Sequence, residues 1–144
     1  MKKIVAAIAV LIFSAGTFTS CITDEKDTSG PEIEIITPEE GEVFAPGDKL
    51  ELHLKFKDPD GIAVYSYEIY NEDLSAPNSF EDDREIPLGG FFTEFPIIHR
   101  ITIPEEINDA PPSPGIYIID IKARDFNDYI SVLRQTIEIV AEEE

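Results

Sequence analysis

The chain has 144 residues, in which 30 Asp and Glu outnumber 11 Lys and Arg for a formal net charge of −19. That balance argues against a nucleic-acid partner, because such binding is dominated by phosphate neutralisation through Lys and Arg. A single cysteine rules out an intrachain disulfide, so the fold must be held by its core.

Residues 1–20 read as a secretory signal peptide. Lys2 and Lys3 form a positive start, Ile4 to Phe13 is an uninterrupted apolar run, and small residues from Ser14 to Ser20 precede the cysteine. The apolar run is too short for a permanent span, which needs about 20 residues. Cys21 follows at once. From Ile22 to Pro31 no further apolar residue appears, so residues 21–31 read as a flexible acidic tether. Residues 32–144 remain for one domain with one core.

A cysteine directly after such a leader resembles the lipobox of bacterial lipoproteins, matched here at Ser20 and Cys21. The resemblance implies that the Cys21 thiol carries a diacylglycerol and anchors the chain to the bacterial outer membrane. An ordinary cleaved signal followed by a free thiol is the competing reading. Asp24 and Glu25 resemble the acidic export signal of surface-exposed lipoproteins in some Gram-negative bacteria. That implies display on the cell surface, with periplasm-facing attachment as the alternative.

In the domain, short runs of β-branched and aromatic residues are separated by Pro, Gly and Asp clusters, and no long window carries a 3.6-residue apolar stripe. The pattern predicts strands at Glu32–Thr37, with Val43-Phe44 as a short continuation, and at Lys49–Lys57, where Leu50, Leu52, Leu54 and Phe56 alternate with polar residues. Further strands are predicted at Ile62–Tyr70, with Tyr65, Tyr67 and Ile69 inward, and at Glu85–Leu88. The next begins at about Ile97 and is ended by Pro104, which cannot donate to a ladder. The last two are Gly115–Arg124, with Tyr117, Ile119, Ile121 and Ala123 inward, and Tyr129–Val140. The expectation is an all-β, seven-stranded antiparallel sandwich of the immunoglobulin type, with Tyr117 placed as a tyrosine corner.

From Pro31 to Val140 the order of signals resembles bacterial immunoglobulin-like domains of the fibronectin-III and cadherin kind. It is carried by Pro31 to Pro38, Gly47 to Leu50, Asp58-Pro-Asp-Gly61, and Gly115 to Tyr117 leading to Ala123-Arg-Asp125. The stretch His99 to Pro104 is similar to one in an uncharacterised family of lipoprotein domains. That family is rich in histidine where this chain reads Ile69 to Asp73, which holds none. A multi-histidine metal site is therefore not carried over, since one imidazole does not make a zinc site.

Two constellations offer chemistry. In such a sandwich the Asp-rich turns gather at one end, bringing Asp58, Asp60, Asp125, Asn127 and Asp128 together as oxygen ligands for calcium. The same residue types also serve tight turns without any ion. The second is an aromatic surface for a glycan or protein partner built from Tyr70, Phe80, Phe91, Phe92 and Phe95, the competing reading being that Phe91, Phe92 and Phe95 plug the core. His99, on an apolar face, reads as a buried neutral ring with one hydrogen bond, and His53 as a surface residue. No nucleophile elbow or phosphate-cradling glycine loop is present. The expected role is a non-catalytic binding module for a protein partner or glycan. A calcium-stabilised adhesion or spacer domain is the alternative, and a small hydrolase a remote one.

Overall fold

The computed structural model describes residues 27–141. The leader at residues 1–20, the lipidation candidate Cys21 and the first part of the tether lie outside the described residues.

Eight strands follow one another: β1 (Glu32–Thr37), β2 (Glu42–Phe44), β3 (Lys49–Lys57), β4 (Ile62–Asn71), β5 (Asp82–Pro87), β6 (Glu94–Thr102), β7 (Gly115–Asp125) and β8 (Ile130–Ile139). Among the described residues there is no helix, and so none long and apolar enough to cross a membrane. The strands form two sheets, β1-β3-β6 and β2-β8-β7-β4-β5. This is the Greek-key arrangement of an immunoglobulin-like sandwich.

Two details correct the sequence-based expectation. There are eight strands where seven were predicted, and β2 runs parallel to β8, so the five-stranded sheet is mixed. The reason lies in the path after β1. The Pro38 and Gly41 segment carries the chain off the edge of β3 and onto the edge of β8, where the Gly41 amide bonds the Thr136 carbonyl at 2.8 Å. The chain keeps its direction while changing sheets, so the short continuation becomes a parallel strand of its own.

The core follows from period-2 alternation. Leu50, Leu52, Leu54 and Phe56 of β3 are all completely buried and meet Tyr65, Tyr67 and Ile69 of β4, Tyr117, Ile119 and Ile121 of β7, and Ile137 and Ile139 of β8. Three strands face five, so β6 pairs with β3 alone and its inward Ile97 and His99 stay half-buried. An edge position also explains why β6 starts at Glu94, earlier than predicted, and accommodates Pro96: a residue without an amide hydrogen is tolerated where the strand has a free side.

Tyr117 is the corner expected of it. Its hydroxyl donates to the Ser113 carbonyl at 2.7 Å and accepts the buried Phe80 amide at 3.3 Å. The pair pins the long β4–β5 connection to the root of β7.

Candidate functional site

Three loops converge at one end of the sandwich, beside the start of β1. Asp58 to Gly61 links β3 and β4, Leu88 to Thr93 links β5 and β6, and Phe126 to Tyr129 links β7 and β8. Backbone bonds sew them together: Asp58 N–H to the Thr93 carbonyl at 3.0 Å, Ile62 N–H to Phe92 at 2.9 Å, and Phe126 N–H to Gly61 at 3.3 Å.

The aspartates do local work first, as turn chemistry requires. Asp58 Oδ1 accepts the Asp60 amide at 2.7 Å, and Asp125 Oδ1 accepts the amides of Asn127 at 2.9 Å and Tyr129 at 2.8 Å. The Asn127 side-chain amide then bridges to Asp60 Oδ2 at 2.7 Å, tying the first loop to the third. Four of the five predicted residues thus meet at this pole. Asp128 turns away and pairs with Arg124.

Burial sets the electrostatics. Asp58 and Asp125 are buried, the latter completely. Burial, then the like charges of Asp125, Asp27 and Asp60, push the Asp58 carboxyl above the usual carboxylate range against the opposing Asp60 amide bond. Asp125 Oδ2 is buried and receives no hydrogen bond. Alongside lies an open cleft of about 670 Å³ between the starts of β1 and β8, with four acids, Asp27, Glu32, Asp58 and Glu94, and one base, Lys57, on its walls. Among the described residues no three His, Cys, Asp or Glu side chains converge as a ready-made metal cage.

The five predicted aromatic residues are not brought together. Phe80 is buried against Tyr117, and Tyr70, near the far end of β4, gives its hydroxyl to Asp120 at 3.0 Å. Phe95 is half-buried and packs on Tyr65 and Phe92. Only Phe91 and Phe92 are exposed, at 65% and 41%.

Phe91 has a partner that the sequence reading missed. The Phe126 ring, 52% exposed, stacks on it with centroids 5.8 Å apart and planes within 20°. Gly61 builds this pair. It holds a left-handed φ of 83°, and a Cβ there would lie 2.6 Å from the Phe91 ring, while its carbonyl anchors the Phe126 amide. The signal was present in the sequence: a large aromatic between Asp125 and Asn127 sits where a turn needs only small polar residues.

The histidines complete the inventory. His99 Nε2 lies 2.9 Å from the Tyr65 hydroxyl and its ring tilts on Tyr67, with centroids 4.9 Å apart. Burial, helped by the Arg84 charge, holds its pKa below 6.5. His53 is half-buried on the face of β3 turned away from the core, opposite Ile98 in register.

No family model matches the chain, and no curated protein matches it. Parts of several solved structures are similar to it. A mutant beta-glucosidase from Listeria innocua in complex with laminaribiose is 14% identical, with a TM-score of 0.49, over 78% of this chain and 16% of that one. The PKD domain of a peptidase from a Thermoplasmatales archaeon is 17% identical, with a TM-score of 0.43, over 80% of this chain and 95% of that one. The fibronectin(III)-like modules of Clostridium thermocellum CbhA are 14% identical, with a TM-score of 0.43, over 79% of this chain and 47% of that one. This chain spans less than a third of the glucosidase, and likeness at this level does not extend to activity or ligand.

Proposed function

We propose that this chain is a non-catalytic interaction domain, held by a lipid on Cys21 to the bacterial outer membrane and displayed on its outer face. Its loop pole takes a glycan or a protein partner. The observation that carries the reading is the exposed Phe91–Phe126 stack, framed by the polar groups of Asp60 and Asn127.

Two adjacent aromatic faces left in water are costly unless something covers them. Here the β3–β4 glycine is shaped to hold one ring, and rigid sandwiches present ligands to their loops. Carboxylate and amide groups beside an apolar platform suit the hydroxyls and C–H faces of a sugar, and equally the rim of a protein contact. A charge of −19 disfavours anionic glycans, which leaves neutral ones. A non-catalytic role is supported by the histidines, neither of which bonds a serine or carboxylate: His99 has Tyr65 as its hydrogen-bond partner.

The test is a panel of neutral glycans, with a pull-down from solubilised membranes, run on the wild type and on Phe91→Ser with Phe126→Ser. The expected result is a loss of at least about tenfold in affinity, equivalent to about 1.4 kcal/mol, with no change in melting temperature. Binding that survives both substitutions removes the pole as the contact surface. Mass spectrometry of the native protein reads the acyl chains on Cys21, and protease treatment of intact cells reads the leaflet.

A further inference from the structure

Each side-chain charge at the loop pole raises the question of what balances it. Among the described residues the ion pairs are Lys55–Glu94, Arg100–Glu51, Lys122–Glu68, Arg124–Asp128 and Arg134–Asp120. None of them reaches Asp58, Asp60 or Asp125. Two of those three carboxylates are nevertheless removed from water, and Asp125 Oδ2 receives no hydrogen bond from the protein. A buried carboxylate oxygen without a donor or a counter-charge is among the most costly arrangements a fold can hold.

We propose that Asp58 and Asp125 form the core of a binding site for a divalent, oxygen-preferring cation, with calcium as the ion whose coordination it suits. The unpartnered Asp125 Oδ2 and the free oxygen of Asp58 supply the anionic ligands. Asp60, fixed through Asn127, and Asp27, on the wall of the acidic cleft, add negative potential around them. Of the two, Asp58 lies on the wall of the cleft, and the site would be reached from solvent on that side.

The arrangement selects among ions. No third carboxylate converges on the two, so backbone carbonyls and water must complete the shell. Calcium accepts 6–8 oxygens in a loose geometry, whereas magnesium demands a near-ideal octahedron and gives up its waters reluctantly. Few charged ligands also place the affinity at the weak end of calcium sites, at roughly 10⁻⁴–10⁻³ M, the range of extracellular modules.

The experiment follows the thermal unfolding of the full chain after chelator treatment, at fixed ionic strength, with calcium or magnesium titrated in. The wild type is expected to gain several degrees in Tm, saturating with calcium and smaller with magnesium. Asp125→Asn keeps Oδ1 as acceptor for the Asn127 and Tyr129 amides. It is expected to melt in chelator at or above the wild-type temperature and to lose the calcium response, while Asp83→Asn on β5 retains it. Should Asp125→Asn fail to fold, Asp58→Asn and terbium luminescence carry the same reading, with loss of the calcium response or of terbium binding expected. A wild-type Tm unmoved by calcium overturns the proposal, including the case in which only acidification raises it and a proton is what the pair shares. So does an aspartate variant that still responds in full.

Discussion

Replacing Tyr117 with Phe removes one oxygen from a completely buried ring and tests how the long β4–β5 connection is fastened. The hydroxyl donates to the Ser113 carbonyl at 2.7 Å and accepts the Phe80 amide at 3.3 Å. Each bond is worth about 1 kcal/mol net, and the Phe80 amide, buried with no other acceptor at hand, adds the cost of an orphaned donor, so the loss should reach about 2–3 kcal/mol. For a domain of this size that is a fall of about 8–12 °C in Tm. Tyr67→Phe is the matched control. Its ring is equally buried, but its hydroxyl donates at 2.8 Å to Asp82, which is only half-buried and can turn to water. About 1 kcal/mol is expected there. Urea unfolding followed by far-ultraviolet circular dichroism suits a chain without Trp. A Tyr117→Phe cost below about 1 kcal/mol, or one equal to that of Tyr67→Phe, would refute the reasoning that the corner is a structural clasp.

Leu52→Ala empties the middle of a fully buried row and should cost about 2–5 kcal/mol in urea unfolding, whereas Val132→Ala on the exposed face of β8 should stay within about 0.5 kcal/mol. Gly61→Ala meets both a left-handed φ of 83° and the Phe91 ring, so it should lose about 1–2 kcal/mol and separate the Phe91–Phe126 stack, visible in aromatic proton shifts. For His99 the sign is set by a folded pKa below the unfolded value of 6.5: the unfolded chain takes up the proton more readily, so stability held above that pH is lost as pH falls below it. The stability difference between wild type and His99→Gln should therefore shift against the wild type between about pH 7.5 and about pH 5.5, and an unchanged difference would remove the linkage.

The sandwich was legible because its central strands place an apolar side chain at every second position of the buried face, strictly alternating with polar residues in β3. In β3 and β7 every second side chain is apolar, and a period of two assigns the face without knowledge of the partner strand. β2 was not legible as a strand of its own. Three residues cannot show a period, and its parallel partner lies far along the chain in β8. The start of β6 was obscured by Pro96, which reads as a strand breaker until the free edge is known. At the pole, turn chemistry disclosed where the aspartates go, because Asp-Pro-Asp-Gly and Asp-Phe-Asn-Asp end strands wherever they occur. Which oxygen would be left without a partner depends on side-chain rotation and on the neighbouring loop, neither of which has a sequence signature. The aromatic surface fails for a related reason. Phe80 and Phe91 lie on the same connection and look alike in sequence, yet one meets the corner tyrosine and the other meets Gly61.

The two features of the pole share their supports, and that has a consequence for function. Asp58 and Gly61 belong to one tight turn closed by the Gly61 amide on the Asp58 carbonyl at 3.2 Å, and Asp125 and Phe126 are adjacent in the chain. An ion gripped between Asp58 and Asp125 would hold the turn under Phe91 against the loop that carries Phe126. Ordering those loops in advance lowers the entropic cost of a ligand that must lie across both rings. Linkage makes the effect mutual: whatever factor calcium adds to ligand affinity, the ligand must add to calcium affinity. Equal ligand affinities in chelator and in saturating calcium would mean that the sandwich alone positions the rings, and that an ion at the aspartates serves stability only.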